Sequence, residues 1–188
     1  MKILGISGSP HADGNTARAV RYALARAESD ETRYIGLSGK KINPCAGCFA
    51  CAESHTCVFD DDMAEVYEAM RWCDALVLAS PVYMGMVSGQ TKVMMDRCVL
   101  FRPSYEQRPQ LSGKIGCGIA CGGFRNGGQE TTLQNIHTFL LQQNFKVIND
   151  GFPYSHAGGT VVGATLEDRL GLQTIDRLMD NLREMARG

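Results

Sequence analysis

The chain predicts an α/β fold in which a doubly wound, five-stranded parallel sheet carries helices on both faces. Three observations lead there. Short runs of uninterrupted apolar residues, such as Ala75 to Ala79, mark strands buried on both sides. Between them lie stretches whose apolar residues recur at helical spacing. The segments that end the strands hold much of the glycine and proline, and in such sheets ligands bind beyond the strands' carboxyl ends.

The elements follow in order. Lys2 to Ile6 is an apolar run ending at Gly and Ser, and Ala17, Val20, Leu24 and Ala27 then mark one face of a helix. Arg33 to Leu37 reads as a second strand, followed by a long irregular stretch with Gly39, Pro44, Gly47 and four cysteines. Asp60, Asp61 and Asp62 read as the cap of a helix whose stripe is Met63, Val66, Tyr67, Met70 and Cys73. The buried run Ala75 to Ala79 is the third strand and Pro81 to Gly89 the loop after it. Thr91 to Leu100 reads as helical despite Val93 and Val99, which are weak helix formers. Arg102 to Ser112 connects onward and, with Arg97, is expected to form an interface between subunits. Ile115 to Ala120 is the fourth strand, Gly122 to Gly128 a glycine-rich loop, and Leu133, Ile136, Phe139 and Leu140 a helix face. Phe145 to Ile148 is the fifth strand and Asp150 to Gly163 a loop. A last helix opens at Thr165, with Glu167 and Asp168 in its first turn, and carries Ile175, Leu178, Met179, Leu182 and Met185.

A length of 188 residues suits one domain, residues 1–188, with residues 43–60 as a loop insertion. The net charge of −1 excludes the basic surplus that nucleic acid or an anionic membrane demands. The apolar run at Ile3 to Ile6 is too short for a secretion signal, and no stretch approaches the ~18 apolar residues of a membrane span, so a cytoplasmic location is expected. In that reducing setting the eight cysteines ask for metal or redox chemistry rather than disulfides.

The first loop, Ser7-Gly8-Ser9-Pro10-His11-Ala12-Asp13-Gly14-Asn15-Thr16, runs from a strand into a helix and offers hydroxyls and free N–H groups to an anion. It lacks the Walker lysine, which excludes nucleoside triphosphate hydrolysis, and it does not form Gly-x-Gly-x-x-Gly, so a terminal monophosphate fits better than a pyrophosphate. The third loop, Ser80-Pro81-Val82-Tyr83-Met84-Gly85, provides backbone amides and an aromatic to edge a flat heteroaromatic ring, unless Tyr83 and Met84 merely pack over the strand end. The fourth, from Cys121 to Gln129, allows close backbone approach from the opposite side, with Arg125 available for substrate or phosphate.

Ser-Gly-Ser-Pro with Gly-Asn-Thr, Ser-Pro-Val-Tyr-Met-Gly, and Gly-Gly with Gly-Gly-Gln-Glu together resemble the flavodoxin-like NAD(P)H-dependent FMN reductases over nearly the whole chain. The resemblance implies that Ser7, Ser9, Asn15 and Thr16, with Pro10 among them, hold the FMN phosphate. It implies likewise that Pro81, Val82, Tyr83, Met84, Gly85, Gly122 and Gly123 contact the isoalloxazine. His11 stands where related loops carry arginine or a small polar residue.

Cys45, Cys48, Cys51 and Cys57 are spaced Cys-x2-Cys-x2-Cys-x5-Cys, so that three thiolates can converge and a fourth close the shell. Thiolate tetrads take zinc or an iron-sulfur cluster, and intervals of three are commoner in cluster ligation, with zinc or an empty site as alternatives. Tetrad and loops together resemble the iron-sulfur flavoprotein family, which implies a four-iron four-sulfur (4Fe-4S) cluster here. It also implies ferredoxin as electron donor, a small acceptor such as oxygen or peroxide, and a homodimer or homotetramer that brings one subunit's cluster near another's flavin. The alternatives are an NAD(P)H-dependent reductase of flavin or quinones without a cluster, and a non-catalytic flavin-binding redox sensor with structural zinc. Cys73, Cys98 and Cys117 fall on apolar faces and read as core, while Cys121 ends a strand beside the presumed flavin. His55 lies inside the cysteine loop as a spare ligand. His11, His137 and His156 show no acid or nucleophile partner in the sequence, which leaves hydrolytic chemistry without support.

Overall fold

Uniform burial separates the central strands from the edge ones. In a computed structural model that describes residues 1–27, 30–102 and 108–187, the chain forms strands β1 (Lys2–Ser7), β2 (Glu31–Gly36), β3 (Ala75–Pro81), β4 (Ile115–Gly122), β5 (Lys146–Val147) and β6 (Gly159–Val162). The helices are α1 (Asn15–Ala25), α2 (Cys51–Ser54), α3 (Met63–Trp72), α4 (Gly89–Arg97), α5 (Gln129–Gln142) and α6 (Arg169–Met185). Every residue of β4 is buried, and in β3 only Pro81 is partly open, whereas the first three residues of β2 are exposed. All pairings are parallel in the order β2-β1-β3-β4-β5, the doubly wound arrangement expected.

The strands' two-residue period divides the core. Leu4 and Ile6 of β1 and Leu76 and Leu78 of β3 pack with α3, α4 and α5 on one face. Ile3, Ala75, Val77 and Ala79 pack with α1 and α6 on the other. Cys98 joins the first core, and Cys73 the same one, while Cys117 and Cys121 join the second, as their apolar settings suggest. Glycine governs the close approach of α5: a Cβ on Gly118 would lie 2.9 Å from Leu133 Cδ2 and one on Gly116 2.8 Å from Leu140 Cδ2.

Several boundaries differ from the sequence reading. The fifth sheet position is split: Lys146–Val147 pairs with the start of β4, and Gly159–Val162, expected as loop, pairs with its end. The glycine-containing stretch thus hid a strand, because Gly159 packs against Ile119 and Ile175, where a side chain would not fit. Helix α4 begins two residues earlier than expected, capped by the Ser88 hydroxyl, which accepts from Thr91 N at 3.2 Å, and ends at Arg97 in a 3₁₀ turn over Cys98–Phe101. The last helix opens at Arg169, capped by Asp168, since Thr165 is bonded elsewhere. Arg97 is 2% exposed and therefore no surface contact residue; of the expected Arg102 to Ser112 interface, residues 103–107 lie outside the described ones.

Candidate functional site

Strand order reverses between β1 and β3, so the loops leaving them part and open a crevice at the carboxyl edge. The first and third loops are nevertheless tied together at their roots. Gly8 N donates to Ala79 O at 2.8 Å, and Gly8 O accepts from the Ser88 hydroxyl at 2.5 Å. Ser80 Oγ accepts from Ser88 N at 2.9 Å and from Thr91 Oγ1 at 3.3 Å, completing a buried knot of hydroxyls. Only glycine fits at position 8, where a Cβ would fall 1.7 Å from Thr91 Oγ1.

Beyond that root the first loop turns into α1, whose N-cap residue Gly14 supplies no side-chain cap. The first-turn N–H groups are thereby left for an anion. Ser7 Oγ is buried and has no hydrogen-bond partner, a cost that a bound acceptor would relieve. Ser9 Oγ accepts from His11 N at 3.0 Å, and Pro10 O accepts from Ser38 Oγ at 2.7 Å, which fixes the loop against the end of β2. Asn15 and Thr16, the expected phosphate residues at the start of α1, also make contacts within the protein. Asn15 Oδ1 accepts from Thr165 N at 3.3 Å and Asn15 O from Thr165 Oγ1 at 2.8 Å, so this residue braces the loop after β6. Thr16 is buried near Cys121, whose thiol burial pushes up to about 12, with the Thr16 hydroxyl opposing that shift.

In the third loop Met84 (φ 49°) and Gly85 (φ 76°) form a two-residue turn closed by reciprocal bonds between Tyr83 and Met86, 2.9 and 3.0 Å long. Positive φ at both central positions makes it a type I′ turn. Met84 is wholly exposed and so does not pack over the strand end, while Tyr83 is 43% exposed. Val82 N donates to Cys121 O at 2.9 Å, and a Cβ on Gly128 (φ 105°) would lie 2.8 Å from Gly85 Cα, so the third and fourth loops meet backbone to backbone. Gln129 braces the fourth loop from below, its Oε1 accepting from Gly127 N at 2.9 Å and its Nε2 donating to Phe124 O at 2.7 Å. Gly122 O accepts from Gly163 N at 2.9 Å, which adds the loop after β6 to the wall. Gly123 has open space where a side chain would stand, and Arg125 is exposed. A phosphate monoester at the start of α1 and a planar ring against the backbone of the third and fourth loops are what this crevice can hold.

The cysteine loop leaves the same edge after β2 and is closed at its base. Asp62 Oδ2 accepts from Lys41 N at 2.6 Å, and Asp61 Oδ2 accepts from Asn43 N and Nδ2 at 2.9 and 3.1 Å. The acidic run is thus more than a helix cap, although Asp61 Oδ1 does accept from Met63 N at 3.2 Å. Arg97 completes the closure: NH1 donates to Asn43 O at 2.8 Å and to Asp61 Oδ2 at 2.7 Å, while NH2 donates to Asp61 Oδ1 at 3.1 Å and to Cys57 Sγ at 3.2 Å. Burial pushes the Asp61 carboxyl up, but the Arg97 guanidinium and the N–H groups of Asn43 and Met63 outweigh it and hold the group at about 2.

All four tetrad cysteines are free thiols, Cys45 and Cys48 exposed, Cys51 and Cys57 half-buried. Burial first, and the nearby thiols of Cys57, Cys45 and Cys48 as well, raise the Cys51 thiol. Among the described residues no three Cys, His, Asp or Glu side chains are gathered closely enough to hold a metal ion. The donor set nevertheless suits a soft metal centre, and His55 Nδ1, within the same loop, is buried without a partner. Elsewhere, His156 Nδ1 pairs with the buried Asp150 at 2.8 Å, an acid partner the sequence did not reveal. Burial lowers His137 despite the opposing carbonyl of Ala157.

Sequence reasoning missed Ser88, Thr91, Arg97, Gln129 and Thr165. Ser88 three residues before Thr91 is a cap signal in hindsight, and Gln129 bonds Gly127 and Phe124 within its own loop; for Arg97 and Thr165 the partner lies far along the chain and no local pattern announces it.

Comparison with known proteins agrees with this geometry. The profile of the NADPH-dependent FMN reductase family matches residues 1–159. An iron-sulfur flavoprotein of Methanocaldococcus jannaschii is 42% identical over 193 aligned residues, spanning 100% of this chain and 98% of that protein. An iron-sulfur flavoprotein of Methanosarcina thermophila is 40% identical, spanning 97% and 93%. Among solved structures, a flavodoxin from the domain Archaea superposes with a TM-score of 0.64 at 15% identity, covering 100% of both chains, which speaks for the fold. This chain belongs to the iron-sulfur flavoprotein family, within the flavodoxin-like superfamily of NADPH-dependent FMN reductases.

Proposed function

We propose that the chain is an FMN-dependent electron-transfer protein that takes electrons from ferredoxin and delivers them, through a 4Fe-4S cluster and FMN, to a small acceptor. The observation that carries this reading is the pairing, in one domain, of a phosphate cradle with an orphaned Ser7 hydroxyl and a separately braced loop bearing four thiols. When bound, FMN supplies chemistry in both one- and two-electron steps, and an iron-sulfur cluster exchanges single electrons.

The chain's own groups do the rest. Ser7, Ser9 and the first-turn N–H groups of α1 receive the phosphate, with Pro10 setting the loop and Thr16 and Asn15 holding its far side. Pro81 to Gly85, Gly122 and Gly123 offer backbone to the ring, and N–H groups there favour the form carrying more negative charge. Cys45, Cys48, Cys51 and Cys57 are the proposed cluster ligands, and the exposure of Cys45 and Cys48 gives a donor protein access. The proposed assembly is a homodimer or homotetramer, its location the cytoplasm, with no nucleic-acid or membrane partner; no helix among the described residues is long and apolar enough to cross a membrane.

An absorption spectrum of anaerobically purified protein, with iron, zinc and acid-labile sulfide measured on the same sample, tests the reading. It expects about four irons and four sulfides per flavin. Flavin without iron or sulfide, even after reconstitution, overturns it in favour of the second reading, an NAD(P)H-driven reductase of flavin or quinones. The open rim at Gly123 and the exposed Tyr83 and Met84, which leave space over a ring, favour that alternative. Rapid flavin reduction by NAD(P)H without ferredoxin would establish it.

A further inference from the structure

We propose that Arg97 is a positioning residue for the metal centre of the cysteine loop: it presets the Cys57 sulfur as a ligand and raises the reduction potential of the cluster that this sulfur helps to hold. The proposal rests on the cluster reading above.

A loop clamp alone would need less than the structure provides. Arg97 is 2% exposed, and its charge is matched by the two-pronged bond to Asp61. The bond from NH1 to Asn43 O already ties the loop's start to its end. Beyond these, NH2 also donates to Cys57 Sγ at 3.2 Å, the one hydrogen bond received by a tetrad sulfur among the described residues. A neutral thiol is a weak acceptor, whereas a thiolate or metal-bound sulfur is a good one, so a buried, permanently charged N–H at this position matches the ligated state. Phe59 covers the guanidinium, its ring centroid 5.0 Å from Arg97 Cζ, and the Tyr67 hydroxyl donates to the backbone carbonyl of Arg97 at 3.0 Å, which fixes the main chain from which the side chain departs. In such a site the donor strengthens as water is excluded.

The sign follows from charge. One-electron reduction adds negative charge that spreads over the ligand sulfurs. A donor fixed on one of them stabilises the reduced form more than the oxidised one and moves the midpoint upward. Asp61 accepts from Arg97, Asn43 and Met63, and no hydrogen bond links it to the sulfur, so the direct contact to Cys57 Sγ is the N–H of Arg97.

The test compares the reconstituted full chain with Arg97→Lys and with Arg97→Gln/Asp61→Asn. The double variant removes both charges, so that no buried ion is left unpaired if the single variant fails to fold. Iron and sulfide content, EPR-monitored midpoint titration and amide exchange of residues 43–61 in the metal-free chain are read for each. The expected result is retained FMN, a lower cluster midpoint in both variants with Lys intermediate, and faster exchange in the loop. Full loading in every protein with an unchanged midpoint overturns the role of Arg97 while leaving the cluster reading intact. Absence of iron from the unmodified chain overturns the cluster reading, and this role with it.

Discussion

Gly8→Ala tests the junction between the first and third loops directly. The added methyl would lie 1.7 Å from Thr91 Oγ1 and 3.2 Å from Ala79 O, with backbone on one side, so the loop must shift. That shift gives up the bonds from Gly8 N to Ala79 O and from Ser88 Oγ to Gly8 O. At about 1 kcal/mol for each bond, plus ~1–3 kcal/mol for overpacking, the cost is roughly 3–5 kcal/mol. For a domain of this length that is a fall in Tm of roughly 6–20 °C. Thermal unfolding of the FMN-free chain, followed by circular dichroism, reads the stability, and flavin fluorescence quenching reads FMN affinity, which should drop at least about tenfold. Thr91→Ala alone loses its bonds to Ser80 and Ser88 and costs about 2 kcal/mol at the same rate. In the double variant the nearest contact relaxes to the 3.0 Å of Thr91 Cβ, so the two changes together should cost at least ~1 kcal/mol less than their sum. A Gly8→Ala chain as stable as its parent, or strictly additive costs, would refute the reasoning.

Other outcomes follow from single groups. Ser7→Ala removes a buried hydroxyl with no partner, so the FMN-free chain should keep or gain stability while FMN affinity falls about tenfold; equal loss of both would mean that Ser7 is structural. Asp61 is held at about 2 against an ordinary 3.8, so its contribution, about 2 kcal/mol, is fully present above pH ~4 and is lost as the pH falls toward about 2. Urea unfolding across that window should show this loss in the parent and a shallower one in Arg97→Gln/Asp61→Asn; identical slopes would sink the assignment. Cys48→Ala should abolish cluster absorbance and leave FMN bound, because Cys48 is exposed in a loop separate from the flavin crevice; full retention of iron and sulfide would remove Cys48 from the ligand set.

The parts of the fold legible in the sequence are those that repeat a local pattern. Ala75 to Ala79 could only be a doubly buried strand, and α6 shows its apolar stripe at Ile175, Leu178, Met179 and Leu182 without interruption. At the edge, β5 was legible in Phe145 to Ile148 but glycine-led β6 was not, because it lacks enough side chains to form a pattern; what makes Gly159–Val162 a strand is its ladder to β4, which is tertiary. In the crevice, the loops could be identified by their glycines. The residues that lock them were harder to read, since Thr165 and Thr91 act on backbone groups of the first loop, remote in sequence, whereas Gln129 acts within its own loop. Arg97 reads in sequence as a surface cation at a subunit interface, and only its own burial, with Asn43, Cys57 and Asp61 as partners, reverses that meaning.

Helix α4 shows why local rules failed where they did. Its sequence, GQTKVMMDR, is a poor amphipathic pattern with a glycine at its start and a β-branched valine inside. Each departure has a partner. Ser88 and Thr91 at its beginning bond the first loop at Gly8, Val93 lines a surface hollow with Leu37 and Ile42, and Arg97 at its end bonds Cys57. From Ser88 to Arg97 the helix rises about 13 Å, so one rigid element fixes the phosphate side of the crevice and the anchored end of the cysteine loop at a set separation. A sequence optimised for helix formation alone would lose both contacts, which is the general reason that local consistency gives way at sites under functional demand. The weakest helix signal in the chain therefore marks the element that joins its two sites.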